Sequence, residues 1–156
     1  MDDAAARTKV EWREWGAEAF AAAERAGKPV LLSLSAPWCT HCHRMDATTY
    51  SEPRIAANVN DGFVPVRVDA DRNPLVRERY TMGGFPSTVF LTPAGEVITG
   101  ATFLGPEGFR GILDSVRESW DAKGAGAGSV PRQLQDEAPP AGELRPRIEE
   151  HMVEQL

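Results

Sequence analysis

Cysteine is scarce in this chain. Only Cys39 and Cys42 occur in 156 residues, too few for a disulfide scaffold and more in keeping with a catalytic or metal-binding pair. Histidine is equally sparse, at His41, His43 and His151. No stretch approaches the roughly 18 apolar residues of a membrane span, so no membrane partner is expected. No run of Lys or Arg tracks a phosphate backbone and the net charge is −6, which argues against nucleic acid. The opening Met1-Asp2-Asp3-Ala4 lacks the basic end and apolar middle of a signal peptide, so the expected location is cytoplasmic. Internal repeats are also missing. The length suits one α/β-sized domain with a core and a tail.

What is present is organised around Leu31 to Tyr50, LLSLSAPWCTHCHRMDATTY. The apolar run Val30–Leu34 is too short for a buried helix and is closed by Pro37, so it reads as a core strand. Cys42 to Tyr50 contains neither Gly nor Pro and reads as a helix. The two thiols therefore sit where a strand hands over to a helix N-terminus. Unpaired amides and the positive end of the helix dipole favour a thiolate there. That placement points to a dithiol–disulfide redox site.

Upstream, Gly16–Ala26 is alanine-rich and helical in pattern, with Ala19, Phe20, Ala23 and Ala26 on one face, and Gly27 and Pro29 stop it. Downstream, Pro53 opens a short helix over Arg54–Asn58. Asn60-Asp61-Gly62 reads as a turn. Phe63–Val68 reads as a second strand, with Pro65 marking an edge. Asp69 and Asp71 are expected to cap or start the next helix, with Pro74 at its first position, running to Tyr80. Ser87–Thr92 and Glu96–Thr99 form a hairpin about Pro93-Ala94-Gly95. Gly105-Pro106 opens a last helix with Phe109, Ile112, Leu113, Val116 and Trp120 on one face. Strands separated by helices, with a hairpin added, predict a mixed sheet. The expected division is a domain over 1–122, a Gly/Ala/Pro linker over 123–142 and a helical tail over 143–156.

WCTHC after a strand, Val68-Asp69-Ala70-Asp71, GGFPST and the hairpin VFLTPAGEV together resemble the thioredoxin fold over roughly Trp12 to Trp120. EWREWGAEAF, GKPVLLSL, CTHCHRM, VDADRNP and GGFPSTVFLTPAGE narrow this further. They resemble the thioredoxin-like domain that opens the spermatogenesis-associated, largely uncharacterised protein family. In that family a larger helical domain of glycosidase-like architecture usually follows. The tail EEHMVEQL looks like a helix leading toward it, so the chain reads as an N-terminal fragment or as a homologue with this domain alone. Two departures stand out. Thioredoxins carry a buried carboxylate six residues before the first Cys, where this chain has Ser33. They have Gly-Pro between the cysteines, where this chain has Thr40-His41.

The resemblance implies roles at the site. Cys39, on the exposed side of the helix start, attacks a substrate disulfide as thiolate, and Cys42 resolves the mixed disulfide. His41 resembles the histidine before the second cysteine in disulfide-forming enzymes. There it stabilises the Cys39 thiolate and moves the couple above the roughly −270 mV of thioredoxin, toward about −180 mV. Pro86 is expected in the cis form, with Phe85 offering backbone hydrogen bonds to an extended substrate and Trp38 on the rim. Asp46, four residues after Cys42, is a candidate for proton exchange. Arg67 is a candidate electrostatic helper. No bound cofactor is required. The expected partners are a disulfide-containing protein or small thiol substrate and a reductase or thiol donor.

Three other readings stay open. Cys39, Cys42 and one of His41 or His43 supply three ligands for zinc or another soft metal. Cys39-Thr40-His41-Cys42-His43 has the spacing of a c-type haem attachment site, against which the strand–helix context argues. The third reading is a non-catalytic docking module.

Overall fold

Strand β1 (Val30–Ser35) lies inside the sheet, which explains why Val30 to Leu34 are all buried: both faces are covered, and no alternation survives in such a strand. The computed structural model describes residues 8–128. The expected helical tail and positions 129–142 of the expected linker lie outside them. The sheet order is β2 (Val64–Asp69), β1, β3 (Ser87–Leu91), β4 (Val97–Ala101). β1 and β2 are parallel, and β3 is antiparallel to both β1 and β4.

Five α-helices flank this mixed sheet among the described residues: α1 (Ala17–Ala26), α2 (Thr40–Ala47), α3 (Pro53–Gly62), α4 (Pro74–Tyr80) and α5 (Pro106–Lys123). The architecture is the thioredoxin fold expected from the sequence. On one face, Ala19 and Ala23 of α1 and Tyr80 of α4 pack against Leu32, Leu34, Val66 and Val89. On the other, Met45, Ile55, Val59, Phe109 and Leu113 of α2, α3 and α5 cover Leu31 and Phe90. In α1 the buried face is Ala19, Ala22 and Ala23, and Ala26 is exposed. Gly27, at φ +67°, ends the helix in the left-handed conformation that suits glycine.

Pro65 does lie in an edge strand. Its carbonyl accepts a hydrogen bond from the Arg13 amide at 2.9 Å. Its ring nitrogen faces the same outward side, so no ladder bond to β1 is lost. The Arg67 amide returns a bond to the Arg13 carbonyl at 3.0 Å, so the N-terminal segment shields this edge.

Three boundaries differ from the sequence expectation, each through contacts distant in the chain. Asn60-Asp61-Gly62 is the last turn of α3 rather than a loop. The Asn60 side chain is bonded to the Glu11 amide and the Lys9 carbonyl, while Arg117 holds Asn58 and Asp61. The last helix runs on to Lys123, anchored by the Trp120 indole donating to the Gly27 carbonyl at 2.8 Å, and a 3-10 turn covers Gly124–Ala127. The expected linker thus begins as ordered structure. Finally, Asp69 and Asp71 do not cap α4, whose N-cap is Asn73. The Asp69 carboxylate accepts from the Asp71 amide at 2.9 Å, and Asp71 turns toward Trp38.

Candidate active site

The C-terminal ends of β1 and β2 and the N-terminal end of β3 meet at one end of the sheet, since Ser35 pairs with Asp69 and Leu34 with Ser87. The loops leaving these ends carry Cys39, Asp71 and Pro86. The topology therefore gathers segments 71, 39 and 86 from three parts of the chain.

Cys39 is the N-cap of α2, and its sulfur accepts a hydrogen bond from the Cys42 amide at 3.1 Å. The first turn of α2 contains no acidic residue, so nothing opposes the positive end of the helix dipole. Cys39 and Cys42 form a disulfide with their Cα atoms 5.2 Å apart, within the ordinary range for such a bond. The same Cys42 amide that caps the sulfur here stabilises a thiolate when the pair is reduced.

Cys39 is not on an exposed surface, contrary to the sequence expectation. It is 4 % exposed and Cys42 3 %. Both pack with Ala36 and beneath Phe85. The extended backbone of the N-cap residue turns the sulfur inward toward its partner, and the loop before β3 closes over it. Trp38, by contrast, is 62 % exposed. Its indole donates to the Asp71 carboxylate at 2.8 Å and meets the Phe85 ring edge-on at 5.6 Å. The Phe85–Pro86 peptide is cis, and Pro86 is buried.

His41 is exposed on the second position of α2, its ring 6.1 Å from Phe103 in the loop after β4. The Arg44 guanidinium lies 5.4 Å over the same ring. His43 is occupied elsewhere, with Nε2 2.7 Å from the Pro37 carbonyl. Among the described residues no three His, Cys, Asp or Glu side chains are gathered as a metal site. The two sulfurs are bonded to each other, so the donor set for zinc is not assembled in this oxidised form.

Asp46 and Arg67, proposed separately from the sequence, are partners. The Arg67 guanidinium binds both oxygens of the Asp46 carboxylate at 2.8 and 3.1 Å. It also stacks on Trp12 at 4.2 Å. This two-pronged pair is stronger than a lone charge contact. Burial pushes the Tyr50 phenol well above its ordinary value. Arg67 opposes the rise, Thr88 and Ser33 ease it, and Asp46 adds to it. Sequence reasoning did not assign Asp71 or Phe103 to the site, because Asp71 meets Trp38 and Phe103 meets His41 across long stretches of chain that no local spacing rule spans.

A family profile, Thioredox_DsbH, described as "Protein of unknown function, DUF255", matches residues 3–137. The chain belongs to this family. It is 34 % identical over 125 residues to human spermatogenesis-associated protein 20, covering 71 % of this chain and 16 % of that protein. It is 26 % identical over 114 residues to the protein disulfide-isomerase of Hordeum vulgare, covering 73 % and 21 %. The chain thus spans about a fifth or less of the length of these relatives. A solved structure titled DsbH oxidoreductase superposes with a TM-score of 0.64 at 20 % identity, over 72 % of this chain and 88 % of that one. That likeness establishes the fold. The recognition made from the motifs therefore holds for both fold and family. Among the described residues no helix is long and apolar enough to cross a membrane.

Proposed function

We propose that this chain is a thiol–disulfide oxidoreductase working through Cys39 and Cys42. The observation that carries the reading is a bonded cysteine pair whose first sulfur caps a helix N-terminus. A surface metal site or an inert buried pair has no need of that cap. The names of the disulfide-isomerase and DsbH relatives support it.

In the reducing direction the Cys39 thiolate attacks one sulfur of a substrate disulfide. The other substrate sulfur leaves as thiolate and takes up a proton. Cys42 then loses its proton and attacks Cys39, releasing the second substrate thiolate and leaving the Cys39–Cys42 disulfide. The substrate gains two electrons and two protons, and the dithiol loses them. The oxidising direction is the same sequence reversed.

Phe85 covers the sulfurs and Trp38 offers an exposed aromatic surface beside them, a rim suited to an extended peptide. His41, beside Cys42 in the chain, is the residue we assign to stabilising the Cys39 thiolate, which makes the couple more oxidising than thioredoxin's roughly −270 mV. The partners we propose are a disulfide-bearing protein or small thiol, with a thiol donor or reductase to reset the pair.

Insulin reduction with dithiothreitol tests the reading. Wild type accelerates precipitation and Cys39→Ser falls to the uncatalysed rate. Equal rates for the two proteins leave a docking module instead. Stoichiometric zinc in freshly purified protein with unreactive thiols would replace the enzyme by a metal site. A redox titration at or below about −270 mV removes the role given to His41.

A further inference from the structure

The oxidised pair is shut in. Cys39 and Cys42 are 4 % and 3 % exposed. Among the described residues, the partly buried apolar side chain packed on them and on Ala36 is Phe85. Exchange between a thiolate and a disulfide requires access to the sulfur attacked. A disulfide under an aromatic ring is therefore closed to a thiol until that ring gives way.

The surroundings decide what moves. The backbone on either side of Phe85 is fastened. The Ser87 hydroxyl accepts from the Met82 amide at 2.8 Å and donates to the Gly84 carbonyl at 2.7 Å, and Ser87 pairs with Leu34 in the sheet. The ring itself is held by apolar contacts, with the cysteine cluster below it and with Trp38 edge-on at 5.6 Å. A side chain on a fastened backbone opens by turning about its own bonds. Trp38 does not follow, because its indole donates to the Asp71 carboxylate at 2.8 Å.

Turning the Phe85 ring aside leaves Trp38 without its aromatic partner and the cysteines without their cover. An apolar group laid on Trp38 replaces that contact and offsets the cost of opening. Trp38 is 62 % exposed, so it is ready to receive one. A small hydrophilic thiol brings no such group. A polypeptide whose cysteine is flanked by an apolar side chain does, and its thiolate then reaches Cys39 as the ring leaves.

We propose that the Phe85 side chain determines specificity, closing the pair to small hydrophilic thiols and admitting polypeptide cysteines flanked by an apolar residue. The inference rests on the oxidoreductase reading above and concerns the direction in which the pair accepts electrons. The incoming thiolate attacks the Cys39 sulfur. A new S–S bond forms as the Cys39–Cys42 bond breaks, and Cys42 leaves as thiolate and takes up a proton. A second substrate thiol, having lost its proton, attacks the incoming sulfur. The substrate disulfide forms, and Cys39 leaves as thiolate and is protonated in turn.

The test measures how fast the oxidised protein is reduced, by acid quench, alkylation of the freed cysteines and mass spectrometry. Three thiols are compared in excess: glutathione, a peptide with leucine beside its single cysteine, and the same peptide with serine there. Wild type is expected to react about tenfold faster with the leucine peptide than with either other thiol. Phe85→Ala is expected to accelerate glutathione and the serine peptide about tenfold and the leucine peptide less than about threefold, so the preference collapses. Phe85→Leu is expected in between. A wild type without the preference overturns the proposal, and so does a Phe85→Ala protein that keeps it. Equal acceleration of all three thiols also overturns it, since a merely loosened site does the same. Should Phe85→Ala not fold, Trp38→Ala is read by the leucine-to-serine ratio, which is expected to fall toward one; an unchanged ratio overturns the proposal. A pair that none of the thiols reduces, even in Phe85→Ala, overturns the oxidoreductase reading and the selection with it. A pair that is reduced with the same ratios in every protein overturns the selection alone.

Discussion

The two faces of the sheet are built differently. Beneath α1 and α4 the buried layer is mostly aliphatic and small, Ala19, Ala23, Leu32, Leu34, Val66, Val68 and Val89, with Tyr80 as its one buried aromatic. Beneath α2, α3 and α5 the layer is larger and aromatic, and it is crossed by the Arg67–Ser33–Thr88 row with Tyr50 against it. Both faces bury polar side chains, and the difference is in how these are satisfied. On the first face the Tyr80 hydroxyl donates to the Gly95 carbonyl and the Ser87 hydroxyl to the Gly84 carbonyl, both at 2.7 Å. On the second, the face whose helix begins at the dithiol, the Tyr50 hydroxyl and the Arg67 Nε are buried without a hydrogen-bond partner among the described residues, a costlier arrangement.

That contrast is open to experiment. Leu32→Ala, on the apolar face, is expected to destabilise by about 2–5 kcal/mol, through lost transfer energy and a cavity, while molecules that remain folded keep their exchange rate. Urea denaturation beside the insulin assay checks this, and a large loss of rate in folded Leu32→Ala contradicts it. On the polar face, Tyr50→Phe is expected to cost less than about 1.5 kcal/mol at neutral pH, since the hydroxyl it removes has no protein partner.

The same variant separates the faces again at high pH. The folded Tyr50 phenol holds its proton above the ordinary value of about 10. Its contribution is therefore fully present below pH about 10 and is lost as pH rises from there toward the folded-state value, because the unfolded chain ionises first. Tyr50→Phe removes this loss, so its melting temperature falls less steeply above pH about 10 than that of wild type. Tyr80, on the apolar side, is also raised by burial against the opposing Arg79 and titrates in both proteins. Parallel melting curves for the two proteins would show that Tyr50 does not feel its surroundings as described.

The smallest effect is expected outside both layers. Arg110 meets Glu52 at 3.1 Å with both side chains partly open to water. Arg110→Ala should change stability by less than about 1 kcal/mol, with the difference shrinking further in salt. A larger loss would mean that the helix ends contribute as much as the buried row.

Much of this was legible in the chain itself. The strand Val30–Ser35, the cysteines at the following helix start, the edge placement of Pro65 and the helix Pro74–Tyr80 all follow from local chemistry: run length, ring closure at proline, and the spacing of apolar residues. The errors share one cause. Asn60-Asp61-Gly62 has turn composition and yet stays helical because residues 9, 11 and 117 hold its side chains. Asp71 has the character of a helix cap and instead receives an indole from 33 residues away. The burial of Cys39 depends on Phe85, which no local rule places above it.

Sequence by itself determined the elements, their order and the chemistry that the two cysteines offer, because helix starts, strand runs and thiol spacing are set by neighbours within a few residues. Only the tertiary structure decided which side chains stand around that pair. Strand register aligned Arg67, Ser33 and Thr88, joined Arg67 to Asp46 and closed Phe85 over the sulfurs. Register is a property of strands brought together by packing, and a chain read in one dimension does not contain it.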